Sequence, residues 1–331
     1  MRLHHVVRGL ALVALSTALA CGPRSSSKAP SQTAPENLVS KPPATSDVLR
    51  GERLLVNGRV TEAQSVFEQA IADDPEDARA WLDLGLTQEA KGDLASAERA
   101  YRRATDIDPR FAEAMNNLGV LLREGGNLQE AISVLERAVS LDSDLTAARF
   151  NLGLAYEDQG RFDDAEREYL ATIEQLPGDP VPRINLAMMY LEAGRMEDAA
   201  SQFRAARPMV RGDVLLSIAV GEGLRRVMAP EEAVAVLEDA LRQAANPPPT
   251  DLLAELSLAY YAAGDLSSAE KSMRRAIGQD EIDPALQYAY GSILAKLGDV
   301  GKARFHLRRA ISLAPNGPYA ERARGRLESL K

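Results

Sequence analysis

Cysteine occurs once in 331 residues, at Cys21. That excludes a disulfide framework and a cysteine-based metal site. Histidine is almost as scarce, with three residues, two of them at positions 4 and 5. Beyond the first residues only His306 remains, within "RFHLRRA" on a predicted helix, where it reads as a surface or partly packed side chain. No His–Cys cluster and no Ser–His pair is available, so the sequence reads as a non-enzyme with no metal site. The net charge of −9 repels phosphate backbones and argues against nucleic acid as a partner. Strand-like alternation is missing as well. The N-terminal apolar run, residues 9–20, is 12 residues long, too short to span a bilayer, which takes about 20.

What is there begins with that run. Arg2 and Arg8 precede it and small residues follow, the pattern of a secretory signal over residues 1–20. Ala18 and Ala20 form an A-x-A site whose ordinary cleavage would release a soluble protein. However, the next residue is Cys21, and "TALAC" resembles the lipobox of bacterial lipoproteins, with Ala18 where leucine is commoner. By that resemblance Cys21 takes a diacylglycerol and, after cleavage, an N-acyl chain. Several buried chains anchor firmly where one does not. No other cofactor is expected. Residues 21–43, "CGPRSSSKAPSQTAPENLVSKPP", are rich in Ser and Pro and poor in apolar side chains, and read as a disordered tether.

The rest of the chain repeats itself. Ala63, Ala97, Ala131, Ala165, Ala199, Ala233, Ala269 and Ala303 are spaced by 34, with a single 36 between Ala233 and Ala269. Four residues after each stands a large side chain: Phe67, Tyr101, Leu135, Tyr169, Phe203, Leu237, Met273 and Leu307. Twelve residues before each alanine is a small residue, usually glycine, and a second glycine follows seven later at most interhelix turns. Such a unit is two antiparallel helices that cannot bury their apolar faces without neighbours.

This pattern closely resembles the tetratricopeptide repeat, down to Trp81 on a first helix and Pro75, Pro109, Pro177 and Pro315 at repeat ends. The resemblance implies an all-α, right-handed superhelical solenoid of eight repeats. Their bounds are 44–77, 78–111, 112–145, 146–179, 180–213, 214–247, 250–283 and 284–317, followed by a capping helix over 318–331. Two junctions break the regularity: "ARPMVRGD", with Pro208 inside an expected helix end, and "NPPPTD". Bends are expected near both, with a split between repeats one to five and six to eight. Repeat six lacks the turn glycine and has Pro230 opening its second helix.

In this family the residue two before the repeat glycine points into a concave groove. Here those positions hold Asp83, Asn117, Asn151 and Asn185. A carboxamide matches a peptide's C=O and N–H without reading its side chains. The alternative is that these amides bond between repeats or to solvent. Asn116, Phe150 and Ile184 fall one residue earlier, and Leu154 and Met188 follow the small residue, an expected apolar floor or ordinary core. Glu89, Glu124, Glu157, Asp158 and Glu192 are expected along the far edge, favouring a neutral or basic ligand, whereas Arg225, Arg226 and Lys296 stand there in later repeats. Residues 284–331 hold nine Lys/Arg against three Asp/Glu, either a solvated face or a contact with an acidic partner or anionic surface.

The resemblance therefore implies a membrane-anchored protein-interaction scaffold or assembly factor of a Gram-negative envelope. Its expected partner is a protein or extended peptide. Gly22 after the acylated cysteine, where aspartate would favour inner-membrane retention, points to the outer membrane with the array in the periplasm. The implied relatives are outer-membrane lipoproteins that assemble type IV pilus secretins, and gliding-motility lipoproteins. An adaptor for a periplasmic protease or cell-wall enzyme is the alternative.

Overall fold

Aspartate marks where many helices start. Asp77, Asp93, Asp179, Asp213, Asp265, Asp283 and Asp299 each accept a backbone N–H from the first turn that follows, and Thr45 does the same for Val48. Such caps satisfy amides that have no partner within the helix, and each contributes about 1 kcal/mol. Proline at the first helical positions of four helices supplies a preset φ where no donor is missed.

The computed structural model describes residue 42 and residues 44–330. Apart from residue 42, the signal segment, Cys21 and the tether lie outside the described residues. Within them are seventeen α-helices and no strand. The first eight are α1 (Ser46–Val56), α2 (Val60–Asp73), α3 (Ala78–Ala90), α4 (Leu94–Ile107), α5 (Ala112–Glu124), α6 (Leu128–Leu141), α7 (Thr146–Asp158) and α8 (Phe162–Gln175). The others are α9 (Pro180–Glu192), α10 (Met196–Ala206), α11 (Val214–Arg226), α12 (Pro230–Gln243), α13 (Thr250–Ala263), α14 (Leu266–Ile277), α15 (Pro284–Lys296), α16 (Val300–Leu313) and α17 (Pro318–Glu328). Odd and even helices pack as pairs, and α17 packs on α15 and α16.

The pairing follows from side-chain size. All eight marker alanines and all eight large residues four positions later are fully buried. The large side chain lies over the small residue of its own first helix: a Cβ added at Gly221 would stand 2.6 Å from Leu237 Cγ, and one at Gly153 would stand 2.9 Å from the Tyr169 ring. Only glycine lets these helices approach so closely. Where repeat seven has Ser257 instead, its buried hydroxyl donates to Ala269 O at 2.6 Å.

Contacts divide the chain at Pro177–Gly178 into two compact units. The division expected after repeat five is not where it falls, because the Pro208 junction is packed. There α10 has 11 residues, a 3-10 turn over Arg207–Met209 continues it, and Val210 is buried with its carbonyl accepting from Ser217 Oγ at 3.1 Å. The ring of Phe203 lies against Gly223, leaving no room for a Cβ there. Proline thus shortens the helix, while the apolar seam across the junction stays closed. At repeat six the turn position is occupied by Met228, 87% exposed and held at φ 62°, where the neighbouring repeats place Gly194 and Gly264.

Candidate binding surface on the first helices

In the N-terminal unit, α5 and α7 bring three of the singled-out amides together. Asn151 Nδ2 donates to Asn116 Oδ1 at 2.8 Å, and Asn116 Nδ2 donates to Asn117 Oδ1 at 3.1 Å. The Asn117 side chain hydrogen-bonds in turn to Tyr101, whose hydroxyl donates to Glu89 Oε2 at 2.8 Å. The relay thus runs across two repeat junctions. Burial, followed by the Glu89 charge, raises the Tyr101 pKa far above its ordinary value, so this hydroxyl stays a donor at any physiological pH. Asn151 is buried, while Asn116 and Asn117 are half-buried. Asp83 is buried too.

The apolar positions have a different setting from an open floor. Phe150 and Leu154 are 3% and 1% exposed, and the Phe150 ring packs 5.8 Å from that of Tyr169. Glu157, expected at the groove edge, is buried and accepts from the Tyr169 hydroxyl at 2.5 Å. Glu89 serves Tyr101 in the same way. These two carboxylates are engaged within their own repeats. Arg123, which the sequence reading passed over, is buried on α5 with Nε 3.9 Å from Asp158 Oδ2, and its Nη1 has no hydrogen-bond partner among the described residues.

The C-terminal unit treats the same register differently. On α9, Ile184, Asn185 and Met188 are all buried, and Asn185 Nδ2 donates to Val181 O of its own helix at 2.9 Å. Two repeats further, Glu255 occupies the position equivalent to Asn151 and binds Arg225, with Nε–Oε1 at 2.5 Å and Nη2–Oε2 at 3.2 Å. Arg225 is therefore not a free groove cation. Burial pushes Glu255 up to about 7, against the pull of Arg225. His306 accepts or donates at Nδ1 with Gln287 Oε1 at 2.7 Å and stacks 4.5 Å from the Tyr290 ring; burial lowers its pKa. No group of His, Cys, Asp and Glu among the described residues could hold a metal ion, and no described helix is long and apolar enough to cross a membrane.

Periodicity, helix pairing and the small-over-large packing agree with sequence profiles described as tetratricopeptide repeat, which match residues 48–110, 88–146, 121–180, 180–205 and 254–318. The chain belongs to the tetratricopeptide-repeat family. No curated protein matches it. Among solved structures, a tetratricopeptide repeat protein from Parabacteroides merdae is 18% identical with a TM-score of 0.52, covering 76% of this chain and 98% of that one. Yeast Tom70 gives 15% and 0.54, over 89% of this chain and 66% of Tom70. The anaphase-promoting-complex hetero-tetramer Cut9–Hcn1 gives 17% and 0.53, over 86% and 55%. At these identities the likeness is one of fold. As a tetratricopeptide-repeat chain, the protein is a protein-interaction scaffold.

Proposed function

We propose that the chain is a lipid-anchored scaffold of a bacterial envelope, holding a partner protein or extended peptide along its first helices. The observation that carries the binding half is the relay from Asn151 through Asn116 and Asn117 to Tyr101 and Glu89. Each bond fixes one amide, yet half-buried Asn116 keeps an unused N–H and an oxygen lone pair. A prealigned donor and acceptor at the surface suit the backbone of an extended segment, and the network holds them without loss of side-chain freedom on binding. The anchoring half rests on "TALAC" and Gly22, which favour acylation of Cys21 and an outer-membrane address facing the periplasm. Assembly of a type IV pilus secretin or of gliding-motility machinery is the service that such an arm fits.

A crosslink, a substitution and a deletion test this. A photo-crosslinking residue at position 117 is expected to capture one envelope protein that the same residue at exposed position 133, on α6, does not. Equal capture from both, or none from 117, removes the groove from the function. Cys21→Ala should abolish palmitate labelling and release the chain from membranes; continued labelling refutes the anchor. Loss of pili or gliding on deletion supports assembly, while changed turnover of another envelope protein favours a protease adaptor.

A further inference from the structure

Four residues after the small residue of the first helix, the polar groups go with the large residue of their own repeat. Glu89 and Glu157 stand at this position in repeats whose large residues are Tyr101 and Tyr169, and each accepts the tyrosine hydroxyl. In repeats three and six the position holds Arg123 and Arg225, and the large residues are Leu135 and Leu237. Leucine offers nothing to a guanidinium. Each arginine needs a carboxylate from somewhere else.

Repeat six finds one in the next repeat. Glu255, two residues before Ser257 on α13, binds Arg225 through two bonds, at 2.5 and 3.2 Å. The same register in repeat four holds Asn151, two residues before Gly153 on α7, and α5 packs on α7 as α11 packs on α13. An amide carries no charge to answer a guanidinium, and Asn151 Nδ2 is already given to Asn116. Arg123 is therefore only 8% exposed, with a buried Nη1 that meets no acceptor among the described residues. Its ion contact, Nε to Asp158 Oδ2 at 3.9 Å, lies beyond hydrogen-bond reach. A guanidinium cannot shed its charge, so it bears the cost of burial without the bonds that offset it. Half-buried Asn116, seven residues earlier, lies on the same face of α5.

We infer that Arg123 receives an aspartate or glutamate side chain of the segment bound along the first helices, which supplies from outside the carboxylate that Glu255 supplies to Arg225 from within. This rests on the groove reading above and adds a side-chain preference to it: the amides hold backbone without regard to sequence, and Arg123 selects an acid. Nearby negative charge does not prevent it. Asp158 and exposed Glu124 stand close to Arg123 as Glu222 stands close to Arg225, which takes Glu255 all the same.

Selection of phage-displayed random peptides on the full chain tests the assignment. On the parent chain an aspartate or glutamate is expected to be enriched at one position, and changing it to the amide in a selected peptide should weaken binding about tenfold. On Arg123→Met, which keeps the bulk and removes the charge, the acid and amide peptides should bind alike. Asn151→Glu keeps Arg123 and fills it from within, so it too should erase the preference, and it serves alone if circular dichroism shows Arg123→Met to be unfolded. An acid preference that survives in a folded variant overturns the role of Arg123. So do peptides that lose binding on Asn117→Ala yet show no acid preference, and in both cases the groove still stands. If no selected peptide loses binding on Asn117→Ala, the groove and this inference fall together.

Discussion

The two units handle one register position in opposite ways. Two residues before the small residue of the first helix, the N-terminal unit carries Leu49, Asp83, Asn117 and Asn151, and the C-terminal unit carries Asn185, Ala219, Glu255 and Ala289. In the first unit neutral amides link repeat to repeat; in the second a carboxylate is buried against the Arg225 guanidinium of the preceding repeat. The alanine and large-residue packing is the same in both. The fold therefore demands size at some positions and only satisfaction at this one. The Asn151–Asn116 bond joins two groups that do not titrate, whereas a buried ion pair ties its unit's stability to the protonation of Glu255.

Breaking the ion pair should have the largest effect. Arg225→Met is expected to cost about 3 kcal/mol at pH 8, where Glu255 is left buried and charged, and less at pH 5. The sign follows from burial having raised Glu255 to about 7 from an ordinary 4.5. Between those values the folded chain holds a proton that the unfolded chain has lost. Stability from this group is thus fully present below about pH 4.5 and declines as pH rises through about 7. Glu255→Gln removes that slope, so its stability relative to the parent should rise by on the order of 3 kcal/mol from pH 4.5 to 7.5. Repeat arrays need not melt in one step, so hydrogen exchange of α11 and α13 amides is the appropriate measure. Parallel pH profiles for parent and Glu255→Gln would show that the pair does not set the difference between the units.

The matching cut in the N-terminal unit should be milder. Asn151→Leu removes the donor to Asn116 Oδ1, and half-buried Asn116 can turn to water. A loss of about 1 kcal/mol is expected in the exchange of α5 and α7, unchanged between pH 5 and 8. A loss as large as that of Arg225→Met would mean that the amide bond matters as much as the buried pair, and one that varies with pH would mean that the Glu89 end of the relay governs the Asn151 end.

Much of this was written in the sequence, and the reason is physical. A 34-residue spacing of alanines and large residues has one packing solution, so helix pairs and their core follow directly. Position 117 and its neighbours stood out as amides that would either line a groove or bond between repeats or to solvent. Their partners were not, because Asn151–Asn116 and Arg225–Glu255 join side chains 35 and 30 residues apart whose rotamers the repeat does not dictate. Glu89 and Glu157 read as edge charges because nothing in the sequence says that Tyr101 and Tyr169, twelve residues on, turn their hydroxyls to them. Phe150, Leu154, Ile184 and Met188 are apolar whether they floor a groove or fill a core, and burial alone separates the two.

The smallest effect concerns the turn that repeat six makes without glycine. Met228 sits at φ 62° with its side chain 87% exposed, so it carries the left-handed penalty of about 1–2 kcal/mol with little packing in return. Met228→Gly relieves that strain but gives the unfolded chain more freedom, which offsets part of the gain. A net stabilisation of about 0.5–1 kcal/mol is expected in the exchange of α11 and α12. Gly264→Ala, at φ 85° in the next repeat, should cost about 1 kcal/mol by the same reasoning run backwards. If Gly264→Ala is costly and Met228→Gly changes nothing, the methionine is held there by something other than the turn, and an occupant for its exposed side chain becomes the question to pursue.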